Sequence, residues 1–286
     1  MILSNFTWAL IVFTIFAQTA NRLLTKYALF NVKPLPLTIF TNAVSVVVLL
    51  PFVVGKFGLL KNLNAHQMLL LVTAGIAWGV FGYVYNVALE KSPVSTFTII
   101  TQLQVILVAV LGFLFLGQKI STNLALGILF ICTASILASY KKEKDRDISN
   151  VALLLCLATA FSGAIAIFLD SYNAKFFDTL LYVWLIMFMS NIPLYFFYKP
   201  NQQDFSIKRL SFYLPVGIIF TLSYALSIKL VSQPDVQIAY VYPMLRLGAI
   251  LAVIIGIFYF REKTNWQQKI IAILLAVLGA VFIKLA

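Results

Sequence analysis

Ten apolar runs, each about as long as a bilayer crossing requires, take up most of this chain and leave few options for its fold. They cover Phe6–Tyr27, Leu37–Val54, Met68–Leu89, Val94–Leu116, Thr122–Tyr140, Val151–Tyr172, Leu180–Tyr198, Phe212–Leu230, Ile238–Phe260 and Trp266–Leu285. About 20 apolar residues in a helix span the hydrocarbon core of a bilayer. A helix also satisfies its own backbone hydrogen bonds there, where no water can do so. A membrane barrel would instead show short alternating segments, and these runs are too long and too uniform for that. The sequence therefore predicts an all-α integral membrane protein with ten transmembrane helices and the lipid bilayer as its main partner. The first run is read as a span and not as a cleaved leader, because no basic segment or small-residue cleavage site accompanies it.

Composition agrees. Hydrophobic residues make up 62% of the chain and charged residues 10%, against roughly 45–50% and 25% in a soluble domain. The net charge of +12 is spread between the apolar runs and forms no basic stripe. That excludes a nucleic-acid partner and suits residues that flank spans. Cys132 and Cys156 lie inside apolar runs, as packing thiols do. No Cys/His cluster has metal-ligand spacing, His66 sits in a loop, and no nucleophile lies beside a base. No metal, no cofactor and no catalytic residues are expected.

The most charged loop, Lys141 to Asp147, has five runs on either side. Motifs recur across it. Phe115-Leu116-Gly117-Gln118-Lys119-Ile120-Ser121 resembles Tyr259-Phe260-Arg261-Glu262-Lys263-Thr264-Asn265, 144 residues on, and Gly112 matches Gly256 at the same offset. Thr41-Asn42 matches Ser190-Asn191 at an offset of 149, while Tyr83 and Pro93 match Tyr224 and Pro234 at 141. The expected organisation is a first five-helix repeat (1–140), a charged linker (141–148) and a second repeat (149–286). Five spans is an odd number, so the second repeat enters from the opposite face. Inverted repeats with a solute site between them, near the bilayer midplane, are the architecture of many secondary transporters.

Intramembrane polar residues are costly and mark candidate sites. At the offset of 144, Thr98 maps to Tyr242 and Gln102 to Arg246. Each pair is spaced i, i+4, so each shares one helix face. The two faces are expected to meet at a central cavity. Asn42 and Asn191 are expected near it, either lining it or bonding helices together. Trp78 and Tyr83 are candidates for its wall. Arg246 lies about 16 Å from one end of its run, near mid-membrane, where an arginine costs ~2.5–3.5 kcal/mol. Its guanidinium suits a carboxylate or phosphate. The small-molecule substrate is therefore expected to carry an anionic group, held by Arg246, Gln102, Tyr242, Thr98, Asn42, Asn191, Trp78 and Tyr83. Asp170 is the deepest acid but lies within two turns of a run's end, so exchange or facilitated diffusion stands beside proton antiport. Gly75 and Gly79 form a GxxxG for close packing, and the stripe Ala272, Ala276 and Ala280 offers a face for a dimer. Both monomer and homodimer remain open.

The end of the fourth run reads Gly117-Gln118-Lys119 and that of the ninth Arg261-Glu262-Lys263, and Ala88-Leu89-Glu90-Lys91-Ser92-Pro93-Val94 links the third and fourth. In these features the chain resembles the drug/metabolite transporter superfamily and its ten-helix EamA-type members. Each copy keeps half of the family's Gly-Glu pair. The resemblance implies a carrier of amino acids, sugars, nucleotide-linked metabolites, cations or drugs, acting as exporter or exchanger, multi-pass in a bacterial inner membrane. It also implies both termini inside, whereas the count of basic residues on alternate faces favours both outside. The alternative is an integral membrane enzyme or a lipid-handling protein.

Overall fold

The computed structural model describes residues 4–92, 97, 100–139, 149–199, 201–234, 236–248, 251 and 266–286. Among these there are ten α-helices: α1 (Asn5–Leu29), α2 (Pro34–Val53), α3 (Ala65–Lys91), α4 (Leu103–Leu116), α5 (Thr122–Ser139), α6 (Asn150–Asn173), α7 (Thr179–Tyr195), α8 (Ile207–Val231), α9 (Ile238–Leu245) and α10 (Trp266–Lys284). The linker 141–148, the motif Arg261-Glu262-Lys263 and most of the ninth run beyond residue 248 lie outside the described residues.

Among the described residues, four segments are long and apolar enough to cross a membrane: Pro34–Asn62, Ala65–Lys91, Asn150–Asn173 and Ile207–Val231. Leu103–Leu116, Thr122–Leu137, Thr179–Tyr195 and Ile270–Lys284 are apolar but shorter. α1 has the length, with 25 residues, yet carries Gln18, Asn21, Arg22 and Lys26 on its second half. Large apolar side chains stand exposed on the outer faces, among them Phe13, Phe16, Leu114, Leu154 and Leu274. Lipid is the solvent that such faces fit.

Local sequence fixes the helix starts. Ser4, Ser149 and Ser206 accept from backbone N–H groups one turn into α1, α6 and α8. Asn64 and Gln67 form a reciprocal capping box on α3, at 2.8 and 3.1 Å. Pro34 occupies the first turn of α2, where its missing N–H costs nothing.

Asp178 accepts from the N–H groups of Leu180 and Leu181, each at 3.1 Å, and pairs with Lys56 at 2.7 Å. Partial burial works against its charge. The Lys56 hydrogen bond, the Leu181 N–H, the Lys56 charge and the Leu180 N–H outweigh that, and hold the carboxyl below the usual range. Asp178→Ala is expected to cost about 1–2 kcal/mol, the ordinary cost of losing a helix cap. A depressed carboxyl stabilises fully above its unfolded pKa, and the contribution disappears as pH falls through the folded value. Melting curves of the two proteins should therefore lie apart at neutral pH and converge in acid. A gap that stayed constant down to pH 3 would exclude this role.

Glycines set the tightest contacts. A Cβ on Gly75 would lie 2.5 Å from Met189 Cβ, and one on Gly79 2.4 Å from the Ser190 carbonyl oxygen, so α3 rests on the backbone of α7. α5 and α10 meet reciprocally: a Cβ on Gly127 would lie 2.8 Å from the Gly279 oxygen, and one on Gly279 2.9 Å from the Gly127 oxygen. Ala272 and Ala276 are buried, Ala276 beside Ala134 of α5. Two of the three alanines of the stripe are thus spent on packing within the chain, while Ala280 is half-buried.

α3 packs on α6 and α1 on α8; α3 packs on α7 and α2 on α8; α2 packs on α7, α4 on α9 and α5 on α10. Two apolar cores result. One joins α1, α4, α5 and α9, with Val105, Val108 and Leu124 fully buried. The other joins α2, α3, α6, α7 and α8, around Tyr182, Ile186 and Ala74. The two cores flank a cavity with polar groups set in a largely apolar wall.

Candidate functional site

The cavity holds about 220 Å³ and takes residues from α1, α2, α3, α4, α6, α7, α8 and α9. None of its lining residues comes from α5 or α10. Its polar wall includes Gln18, Asn21 and Arg22 of α1, Thr38 and Asn42 of α2, and Asn86 of α3. Most of these groups hold one another across helices. Gln18 Nε2 donates to Ser227 Oγ at 3.0 Å, and Asn86 Nδ2 to Thr38 Oγ1 at 2.8 Å. Asn21 Oδ1 is buried without a hydrogen-bond partner among the described residues.

Of the residues singled out from sequence, Arg246, Tyr242, Asn42 and Trp78 line the cavity. Arg246 follows the last residue of α9 as its C-cap. Its guanidinium donates to Gln104 Oε1 and to the Tyr242 hydroxyl and lies 4.8 Å from the centre of the Tyr242 ring. Both partners are neutral. Arg246 Nε and Gln104 Nε2 are buried without partners among the described residues.

Asn191 is not in the cavity wall. Asn42 Nδ2 donates to Asn191 Oδ1 at 3.1 Å and to Ser190 Oγ at 2.9 Å, and Asn191 Nδ2 donates to the Ile39 carbonyl at 3.2 Å. The two asparagines matched in the sequence repeat thus touch each other, tying α2 to α7. Tyr83 is 38% exposed and stands off the cavity, whereas Trp78, Phe81, Gly82 and Tyr85 of the same helix line it. Thr98 lies outside the described residues. Gln102 is buried but does not line the cavity; Gln104, two residues on, takes that place. The helical winding also changes here. At Gln102 the hydrogen bonding tightens to the Val105 N–H, three residues on, at 2.9 Å. A second tightened turn joins the Arg246 N–H to the Pro243 carbonyl at 3.1 Å. Gln102 and Gln104 stand about 200° apart around a helix, so they cannot share the cavity face.

The motif at the end of α4 has a structural task. Gly117 adopts φ +64°, the left-handed conformation that glycine takes without strain. Gln118 then folds back, and its Oε1 accepts from the Ala239 N–H at 3.1 Å, at the start of α9. A Cβ on Gly112 would lie 2.6 Å from that Oε1, so Gly112 makes room for the link. The C-terminal end of α4 is thereby joined to the N-terminal end of α9.

Sequence reasoning underrated Asp170. It is 4% exposed and lines the cavity. Trp78 Nε1 donates to Oδ2 at 2.9 Å, the Tyr182 hydroxyl to Oδ1 at 2.7 Å, and the Tyr224 hydroxyl to both oxygens at 3.0 Å. Three helices, α3, α7 and α8, converge on one carboxylate of α6. The usable signal was an acid inside an otherwise apolar run, with aromatic donors in three others. Among the described residues, no group of three or more His, Cys, Asp or Glu side chains comes together.

The family model described as "EamA-like transporter family" matches residues 3–140. No curated protein matches the chain. A solved structure titled "Crystal structure of protein" is similar over 98% of this chain and 97% of its own, with a TM-score of 0.76 at 14% identity. At that identity the likeness shows the fold alone, and it extends through residues 141–286, beyond the reach of the family model. The apolar helices and the family match support a multi-pass membrane protein, and residues 3–140, just under half of the chain, are similar to the EamA-like transporter family, as a member of the drug/metabolite transporter superfamily would be.

Proposed function

We propose that the protein is a secondary transporter that carries an amino acid-like or other anion-bearing small polar solute by alternating access, as exporter or exchanger, across a bacterial inner membrane. The observation that carries this reading is Arg246: a cation in the wall of a cavity within the helical bundle, bonded among the described residues to neutral groups only. A guanidinium without a counter-charge in such surroundings is costly, and a carboxylate or phosphate that it can grip with two hydrogen bonds relieves the cost. Tyr242 and Gln104 already hold its plane, so little further ordering is needed when an anion arrives.

Alternating access rests on the two halves, 1–140 and 149–286, being inverted repeats. The helix neighbours support that. Exchanging α1–α5 with α6–α10 in order turns α1–α8 into α6–α3 and α2–α8 into α7–α3, while α2–α7, α4–α9 and α5–α10 map onto themselves. All of these pairs pack. The Asn42–Asn191 contact joins positions matched in the sequence repeat. Such pseudo-symmetry gives two arrangements of similar energy, opening the cavity to either side.

A panel of carboxylates, phosphates, amino acids, sugars and amines tests the reading, first by thermal stabilisation in detergent and then by counterflow in proteoliposomes. An anion-bearing solute is expected to raise the melting temperature and to exchange across the vesicle wall. Binding confined to uncharged sugars or simple amines would exclude it.

A further inference from the structure

The cavity wall holds a second charge that the anion site does not use. Asp170 is buried, faces the cavity and is met by Trp78, Tyr182 and Tyr224, all neutral donors. No ion pair joins it to Arg246 or to any other cation among the described residues. Hydrogen bonds orient a carboxylate, but they do not neutralise it, and a buried charge wants a counter-charge.

Around it stand aromatic faces. Trp78 and Tyr224 lie 4.6 Å apart between ring centres, Phe81 packs on Trp78 at 5.3 Å, and Phe220 stacks on Tyr224 at 6.0 Å. All four line the cavity. Aromatic faces attract cations, and a carboxylate among such faces is what an ammonium group seeks. The donors fix the carboxylate from the protein side, so its orientation is set before any cation arrives.

We infer that Asp170, with Trp78, Phe81, Phe220 and Tyr224, forms an ammonium subsite, so that the solute carried is a zwitterion whose anionic group meets Arg246 and whose ammonium meets Asp170. This rests on the proposed anion site and narrows its substrate class. Simple acids fill one subsite and simple amines the other; only a zwitterion fills both.

The test uses the full-length protein in detergent at pH 7 and three scaffolds: alanine, leucine and phenylalanine. Each is offered as the amino acid, as the deaminated acid and as the decarboxylated amine, and affinity is read by calorimetry. At least one amino acid is expected to bind about tenfold or more tightly than both of its halves, the scale of losing one partner of a desolvated charge pair. In Asp170→Asn, which keeps the shape and can still accept hydrogen bonds, that advantage over the deaminated acid should fall below about threefold, with the acid itself bound as before. The inference is overturned if the deaminated acid matches the amino acid in the wild-type protein, a result that leaves the anion site intact. It is equally overturned if Asp170→Asn melts lower yet keeps the preference, which would make Asp170 a latch between helices, or if no amino acid in the set binds. Amino acids that bind Arg246→Gln as tightly as the wild-type protein, yet lose affinity in Asp170→Asn, would instead remove the anion site and leave the ammonium subsite standing. The wild-type comparison needs no variant, so it decides even where Asp170→Asn does not fold.

Discussion

Arg246→Gln in proteoliposomes is expected to lower counterflow of an anion-bearing solute by about 30-fold or more, and Arg246→Lys by about tenfold. Truncating one partner of a desolvated charge pair costs about 2–5 kcal/mol, and 2 kcal/mol is about 30-fold in affinity. Lysine keeps the charge but presents a point, not a planar fork, and it loses the contact with the Tyr242 ring. The Gln variant has a structural advantage that makes the result readable: its amide can still donate toward the neutral partners of Arg246, and it removes a charge that the fold leaves uncompensated. The loss should therefore appear as a raised KM at near-normal melting temperature. Two folded variants that transport at wild-type rates would remove Arg246 from the site.

Gly79→Ala is expected to be the most damaging small substitution. Its Cβ would lie 2.4 Å from the Ser190 backbone oxygen, and a backbone atom inside a helix cannot swing aside as a side chain can. Relief requires α3 and α7 to separate, at a cost of about 1–3 kcal/mol for overpacking. The damage would reach the cavity, because Ser190 lines it and its hydroxyl accepts from Asn42. Gly55→Ala is the matched control, since a Cβ there meets nothing within 4 Å. Detergent melting curves should drop by several degrees for Gly79→Ala and stay near wild type for Gly55→Ala. Equal curves would show that the α3–α7 contact is looser than its geometry implies.

The helical architecture was legible because a bilayer permits so little else. Run length and apolar content forced helices, and each predicted run has a helix in its described part. The site was legible only in part. Arg246 and Tyr242 follow from the cost of polar groups at mid-membrane. Gln102 and Gln104 could not be told apart, because both are polar residues of one apolar run and only the direction of the cavity selects between them. Tyr83 and Tyr85 differ by two residues, or about 200° around a helix, and only the direction of the cavity separates the exposed one from the lining one. Asp170 was passed over because distance from a helix end was read as distance from the cavity. Depth along the chain axis is visible in sequence, whereas the tilt and packing that bring Trp78, Tyr182 and Tyr224 onto one carboxylate are not.

The glycine seam between α5 and α10 bears on how motion in this molecule can be measured. Each glycine there is filled by the other helix's carbonyl, and Ile131 and Ile283 stand at the edges of the contact. Sliding one helix by a single residue, a rise of about 1.5 Å, would drive a side chain into backbone, so the pair travels as one piece. Spin labels at Leu129 and Val277, both exposed on the outer faces of that pair, would hold a constant separation through a transport cycle. They give an internal length standard against which distances measured across the cavity can be calibrated in the same sample.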